Sequence, residues 1–464
     1  MPTRPLPALL AAVLLAACGS GTPPFARGLS VASTTPPSSV LRLPAGGGPA
    51  SLYHPPKLDP WGWTTDATLP PLKRVIGADL DLGLVYVLGS KVNEVVALDL
   101  LSRRPRPALA TNVREVTMGP DNVVYTVDDS LRVQQFVRRN PARFPARLPA
   151  RPKDLFGAQG QALLAVTPGA KGSLTRLTTD GEPASMPVPT GDAAATFWGD
   201  LVAIAADSVV LIADPEDAAK LKTIPVAGHA RGVVFSPSGH RFYVARREGG
   251  VLVYSRFSRA EVDEIDLPGP AGALRADPYG RWLMVRPPAA DSLWLVDLAT
   301  NRYMGGIAAE WASDLPTITN QQVLLAKVGH DVVAYDLTAE GWPERGRVPG
   351  GAADFWVPLA WTPETGTASS IVETPTAAPP ADSSADGGDR GARVYLQVSS
   401  SQNKSWAEEL SRQLAQQGLP ASVLEPRGPE EGFRVVLGPY PSREAAESTG
   451  RRLGRPFFVY QPDR

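Results

Sequence analysis

The side chains best suited to chemistry lie between residues 392 and 464 of this 464-residue chain. From Val394 to Ser400, apolar residues alternate with Tyr395, Gln397 and Ser399, and Arg434 lies in a later apolar segment. Amide, hydroxyl and guanidinium groups on one flat face can hydrogen-bond to the polar groups of a neutral ligand, and no catalytic group is needed for such contacts. The alternative is that Gln397 and Arg434 are merely solvated residues of an exposed sheet.

The segments around these residues predict a small α+β domain over residues 392–464. The alternation of Val394, Leu396 and Val398 predicts a half-buried first strand. Two apolar stripes with helical spacing predict helices, the first ending at Gly418 and the second beginning at Ser442. The stripes are Ala407, Leu410 and Leu414, and Ala445, Thr449 and Leu453; further strands are predicted at residues 421–424, 433–437 and 456–460. This βαββαβ order leaves one sheet face open.

Three motifs in this domain resemble the sporulation-related repeat (SPOR) family. They are residues 394–400, residues 417–421 and residues 432–439, which read VYLQVSS, QGLPA and GFRVVLGP. The resemblance implies binding to peptidoglycan glycan strands that have lost their stem peptides, most often at the division septum. By motif position it also implies glycan contacts at Gln397, Ser400 and Arg434. Phe433 is an additional implied contact.

The N-terminal residues predict export from the cytoplasm. An apolar run from Leu6 to Ala17 is too short to span a bilayer, and it is typical of a signal peptide over residues 1–18. The run ends in a sequence that resembles a bacterial lipobox, Leu15-Ala16-Ala17-Cys18-Gly19. Cys18 is the only cysteine, so it has no disulfide partner within the chain, and we expect it to be lipidated. The alternative is an ordinary secretory peptide with a chance cysteine; which membrane would carry the lipid stays open.

Composition limits the other functions. The formal net charge is −1, with 46 basic and 47 acidic residues, which argues against binding to nucleic acid or to an anionic membrane surface. Two segments rich in Pro, Ser, Thr and Gly are predicted to be disordered, a tether over residues 19–70 and a linker over residues 364–391.

An internal repeat organises the region between these segments, residues 71–363. Apolar strand cores recur roughly every forty residues, which is the blade period of a β-propeller. They lie at residues 84–87, 123–125, 163–166, 201–204, 242–245, 282–285 and 323–326. Seven cores predict an all-β, seven-bladed propeller with about four strands in each blade. The pattern resembles the YVTN-type and WD40-like propellers of the bacterial envelope, with Phe242-Tyr243-Val244-Ala245 as the closest match.

The propeller sequence favours binding over catalysis. The four histidines (His54, His229, His240 and His330) lack metal-site spacing, and the phosphate-loop and nucleophile motifs are missing. Asp99, Asp297 and Asp336 end several strands and are interpreted as turn residues. We therefore expect no enzyme activity, no metal and no cofactor. The expected role is a scaffold for an envelope protein partner; the alternatives are a lactonase-like or quinoprotein-like enzyme, or a ligand sensor localised by the C-terminal domain.

Overall fold

The structure, a computed structural model, describes residues 38–120, 122–144, 147–169, 172–179, 182–288, 291–364, 394–401, 404–416, 418–426, 433–453 and 457–460. The predicted signal peptide, Cys18 and all but the first residue of the predicted linker lie outside the described residues. A ring of antiparallel sheets comes first along the chain, and an α+β domain follows. Both belong to one compact unit, Pro37–Arg464.

The ring begins with three strands whose sheet is completed only at its end. They are β1 (Ser39–Leu43), β2 (Ser51–His54) and β3 (Asp59–Thr64). The next three sheets each contain four strands in chain order. They are β4 (Leu72–Asp79), β5 (Leu84–Gly89), β6 (Val95–Asp99) and β7 (Arg104–Pro105); β8 (Val113–Met118), β9 (Val124–Asp128), β10 (Val133–Val137) and β11 (Asn140–Ala142); and β12 (Asp154–Ala158), β13 (Ala162–Thr167), β14 (Ser173–Leu177) and β15 (Ala184–Pro187).

A six-stranded sheet and two more four-stranded sheets complete the series. The six strands are β16 (Asp192–Ala195), β17 (Val202–Asp214), β18 (Asp217–Phe235), β19 (Arg241–Arg246), β20 (Val251–Ser255) and β21 (Glu261–Ile265). The others are β22 (Leu274–Ala276), β23 (Trp282–Val285), β24 (Ser292–Asp297) and β25 (Arg302–Ala308), and β26 (Thr317–Ile318), β27 (Val323–Val328), β28 (Asp331–Asp336) and β29 (Glu344–Val348). A short 3-10 helix, Gly351–Ala353, leads to β30 (Phe355–Leu359).

The six-stranded sheet contains two blades. β17 pairs with β16 through residues 202–205 and with β18 through residues 207–214, and it bends at Asp207, whose φ is 51°. The second part of β18 pairs with β19 instead. β17 therefore supplies the second and third strands of one blade, and β18 supplies the fourth strand of that blade and the first strand of the next.

An eighth blade closes the ring from both ends of the propeller sequence. β30 pairs with β1, β1 with β2, and β2 with β3. The predicted propeller fold is confirmed, and the seven predicted strand cores are the second strands of seven blades. The structure corrects the blade number to eight and moves residues 39–64 from the tether into the fold. These strands were not predicted because they are short and lie among Gly and Pro residues. They also need β30, from the other end of the propeller sequence, as the first strand of their blade.

Apolar side chains hold neighbouring blades together. At the closure, Leu41 and Leu43 of β1 are 0% exposed and share a buried cluster with Val85 and Val87 of β5. Full burial of a leucine side chain contributes about 1.5–3 kcal/mol. Trp63 lies in the same cluster, so the N-terminal strands are part of the core.

The C-terminal domain has the predicted βαββαβ order. Its elements are β31 (Val394–Ser401), α1 (Lys404–Gln416), β32 (Ala421–Leu424), β33 (Phe433–Tyr440), α2 (Arg443–Leu453) and β34 (Phe458–Tyr460). The sheet order is β32-β33-β31-β34, with all pairs antiparallel. The predicted caps are confirmed, because Gly418 has a φ of 77° and the Ser442 hydroxyl accepts a hydrogen bond from the Ala445 N–H at 3.2 Å.

Candidate functional site

The candidate ligand site is built by β31 and its neighbour β33. The register pairs Gln397 with Val436, Ser399 with Val435, and Ser400 with Arg434. β31 therefore carries one residue more than β33 at Val398, which is a β-bulge. Because side chains alternate along a strand, one extra residue moves every later side chain to the other face.

The bulge brings three of the predicted residues onto one face. Residues directly opposite each other in an antiparallel pair lie on the same side of the sheet. Val435 belongs to the apolar cluster under the helices, so the register position of Ser399 is on that side too. The positions of Gln397, Ser400 and Arg434 share the opposite face. The strict alternation expected from the sequence is wrong at Ser399 for this reason.

Phe433 lies on the helix side of the sheet. It alternates in phase with Val435 and Leu437 and packs against the same apolar cluster. The ammonium group of Lys404, at the start of α1, lies 5.8 Å from the centroid of its ring. Adjacent residues of a strand point to opposite faces of the sheet, so Phe433 and Arg434 cannot lie on the same face. This placement corrects the expectation that Phe433 belongs with the other three.

The face that carries Gln397 is covered. Gln397 is 1% exposed, Val436 is 0% exposed, and the Nε2 of Gln397 has no hydrogen-bond partner among the described residues. Three equivalent propeller turns lie close to the domain, and we call them the docking turns. Each joins the first and second strands of its blade and ends in a glycine with positive φ; they are residues 196–199, 236–239 and 277–280.

Several contacts join the docking turns to the C-terminal domain. Trp198 belongs to the same buried cluster as the domain core, and Tyr279 packs against that cluster. A Cβ added to Gly280 would collide with the carbonyl oxygen of Phe457. The charge of Arg434 acts on His240, which follows the middle turn. No pattern in the sequence predicted this contact, because it joins residues that are far apart in the chain.

His240 should make the protein less stable in acid. Burial, followed by the positive charges of Arg241, Arg434 and Arg256, lowers the pKa of its imidazole to about 3. The unfolded chain takes up this proton near the ordinary pKa of about 6.5, so the folded state loses stability as the pH falls from 6.5 toward 3. We expect this histidine to contribute a loss of about 2 kcal/mol between pH 7 and pH 5. Urea unfolding at both pH values measures it.

The matched variant for this measurement is His240→Asn, since the Nδ1 of His240 lies 2.7 Å from the Ser238 hydroxyl and an amide can replace that hydrogen bond. The variant should lose less stability than the wild type over the same pH interval. Equal losses would show that His240 is not the responsible group.

The aspartates that end propeller strands have the predicted local role. In each case the Oδ1 atom accepts a hydrogen bond from a backbone N–H two residues later. The pairs are Asp99 with Leu101 at 2.9 Å, Asp297 with Ala299 at 2.7 Å, and Asp336 with Thr338 at 3.0 Å. These carboxylates stabilise turns in separate blades and do not form one constellation.

Two of the histidines have partners that explain their positions. His54 stacks on Trp61, with 3.6 Å between the ring centroids. His229 hydrogen-bonds to Glu248 and lowers the pKa of that carboxyl to about 2. Within the part of the chain that the structure describes, no group of three His, Cys, Asp or Glu side chains could hold a metal ion.

Two solved structures are similar to the chain at low sequence identity. The chain is similar to apo AztD from Citrobacter koseri at 11% identity and a TM-score of 0.50, covering 70% of this chain and 98% of that one. It is also similar to dihydro-heme d1 dehydrogenase NirN in complex with DHE, at 14% identity and a TM-score of 0.48, covering 67% and 73%. At these identities the likeness concerns the fold alone. No curated protein matches the chain.

The family comparison identifies the C-terminal domain. The SPOR domain family matches residues 391–460, which include the four predicted glycan-contact residues, and this match supports peptidoglycan binding in the cell envelope. No described helix has the length and apolar character needed to cross a membrane. Residues 391–460 are thus a SPOR domain, carried on the same chain as a β-propeller.

Proposed function

We propose that this protein is a peptidoglycan-binding lipoprotein of the cell envelope. Its SPOR domain recognises denuded glycan strands at division sites, and its propeller is a scaffold for an envelope protein partner, without catalytic activity. The observation that supports glycan recognition most directly is the bulge at Val398. It places the positions of Gln397 and Ser400 on the same face as Arg434, although Gln397 and Ser400 are three residues apart.

The chemistry of this face suits a glycan without peptides. The amide of Gln397 can both donate and accept hydrogen bonds, and the guanidinium group of Arg434 offers several donors to hydroxyl and acetamide oxygens. The side chains of a flat sheet can hydrogen-bond to the hydroxyl and acetamide oxygens only when the glycan lies directly against the sheet. Stem peptides would hold the strand away from the sheet, so their removal should favour binding.

The remaining features support the lipoprotein and scaffold roles. Cys18 follows a short apolar run at residues 6–17, and a lipid on its thiol would anchor the protein to a membrane. Binding the cell wall and a partner from one anchored chain raises the effective concentration of each for the other. The propeller offers a broad surface of turns and loops on which such a partner can bind.

Co-sedimentation of the full-length protein with purified sacculi tests the proposal. Amidase treatment of the sacculi should increase binding, and Gln397→Ala or Arg434→Ala should each weaken it by roughly tenfold, as expected for the loss of direct hydrogen bonds to the ligand. Two variants on the helix side of the sheet serve as controls. Phe433→Leu keeps an apolar side chain in the core and Arg412→Ala removes a surface guanidinium group, so both should bind like the wild type. Equal binding to treated and untreated sacculi, together with wild-type binding by Gln397→Ala and Arg434→Ala, would contradict the proposal.

A further inference from the structure

The sheet face assigned to glycan binding is turned toward the propeller. Arg434 is close enough to His240 for its charge to lower the histidine pKa, and His240 directly follows the docking turn at residues 236–239. The neighbouring docking turns contact other parts of the domain. Trp198, which is 8% exposed, packs with the apolar cluster under the helices, and Gly280 lies against the Phe457 carbonyl. Three consecutive blades therefore contact one small domain.

This contact leaves no room for a ligand at Gln397. Its side chain is 1% exposed, and that of the neighbouring Val436 is 0% exposed. A hexose ring cannot hydrogen-bond to an amide that is sealed from solvent. The SPOR domain must therefore leave the docking turns before this face can hold a glycan.

The contact also has features that make it reversible. The Nε2 of Gln397 is buried without a hydrogen-bond partner among the described residues, and an unpaired buried donor opposes docking. The SPOR domain is joined to the propeller through residues 365–393, and a segment of that length can span about 100 Å when fully extended. Separation therefore needs no unfolding of either part.

We propose that the propeller and the glycan compete for the same face of the SPOR sheet, so that the protein without glycan is closed and glycan binding opens it. This inference rests on the proposed glycan binding. The apparent dissociation constant for glycan equals the intrinsic constant divided by the fraction of open protein. A variant that opens the contact should therefore bind glycan more tightly than the wild type, although no glycan contact has been added.

A pair of glycine variants tests the competition. Gly280→Ala adds a methyl group that collides with the Phe457 carbonyl, whereas Gly239→Ala adds one in the neighbouring turn, where the nearest atoms are 3.4 Å away and belong to Arg256 and Thr196. The two glycines have φ values of 76° and 73°, so both substitutions cause similar backbone strain. Only Gly280→Ala should open the contact. Trp198→Ala is a second opening variant that leaves the turn backbone unchanged.

Two measurements on the full-length protein give the outcome. With short glycan chains released from amidase-treated sacculi as the probe, we expect Gly280→Ala and Trp198→Ala to bind roughly tenfold more tightly than the wild type and Gly239→Ala. Small-angle X-ray scattering should show a larger radius of gyration for both opening variants, and for the wild type once glycan is added. Glycan binding by the wild type without a change in scattering would overturn the competition but leave glycan recognition intact. If the wild type, Gly280→Ala and Trp198→Ala all fail to bind the glycan chains, the proposed function itself is overturned.

Discussion

A chain that starts at residue 71 should fail to form the closed propeller, whereas a chain that starts at residue 38 should unfold like the full-length protein. The shorter chain lacks β1, β2 and β3, which are three of the four strands of the eighth blade. It also loses Leu41, Leu43 and Trp63 from the cluster they form with β5. Each such apolar side chain contributes about 1.5–3 kcal/mol, and the total stability of a folded domain is only about 5–15 kcal/mol.

Thermal unfolding followed by circular dichroism, together with size-exclusion chromatography, measures this difference. The chain from residue 71 should aggregate or unfold without a cooperative transition. A pair of point variants provides a milder form of the test. Leu41→Ala removes a fully buried side chain and should cost about 2–5 kcal/mol, whereas Leu101→Ala changes a side chain that is 58% exposed and should cost less than about 0.5 kcal/mol. A cooperative transition at the wild-type temperature in the chain from residue 71 would refute the eight-bladed closure.

Asp314→Ala should destabilise the protein by about 3–5 kcal/mol. One oxygen of the Asp314 carboxylate accepts a hydrogen bond from the Lys327 Nζ at 3.1 Å, and the other accepts one from the Trp356 backbone N–H at 2.9 Å. The Asp314 and Lys327 side chains are 3% and 9% exposed. Removal of the carboxylate leaves a buried ammonium group without its counter-charge. The carboxylate also joins the seventh blade, through β27, to the eighth, through β30.

Chemical denaturation of single and double variants measures this effect. Asp314→Ala combined with Lys327→Met removes both charges and should recover part of the lost stability. The surface pair of Glu344 and Arg347 is the control, since each side chain is 40% exposed and Glu344→Ala should change the stability by less than about 1 kcal/mol. A loss for Asp314→Ala as small as that for Glu344→Ala would show that the buried pair does not join the two blades.

The parts of the fold that could be predicted are those that depend on local sequence. The seven strand cores were visible because each is a run of apolar residues that repeats at a regular distance. The SPOR helices were visible because Leu410 and Leu414 have helical spacing, and because Gly418 and Ser442 are suited to helix ends. In each case the residues that determine the element lie within the element or next to it.

The parts that could not be predicted depend on pairing between distant residues. β1 is a blade strand only because β30 pairs with it. The bulge at Val398 arises from the register between β31 and β33, and the alternation within β31 does not show it. The contact between the SPOR domain and the docking turns is a third case, because each turn taken alone resembles any other polar turn of a propeller.

The closure of the ring also determines how the protein bears a mechanical load. β1 and β30 are antiparallel, with Ser39 opposite Leu359, so the segment before β1 and the segment after β30 leave the propeller at the same end of one strand pair. Tension between these two segments peels the strands apart from that end, and their hydrogen bonds break one after another. The other blades receive this tension only through their contacts with the eighth blade. If the N-terminal segment is held at a membrane and the SPOR domain at the cell wall, the eighth blade is the element that yields first.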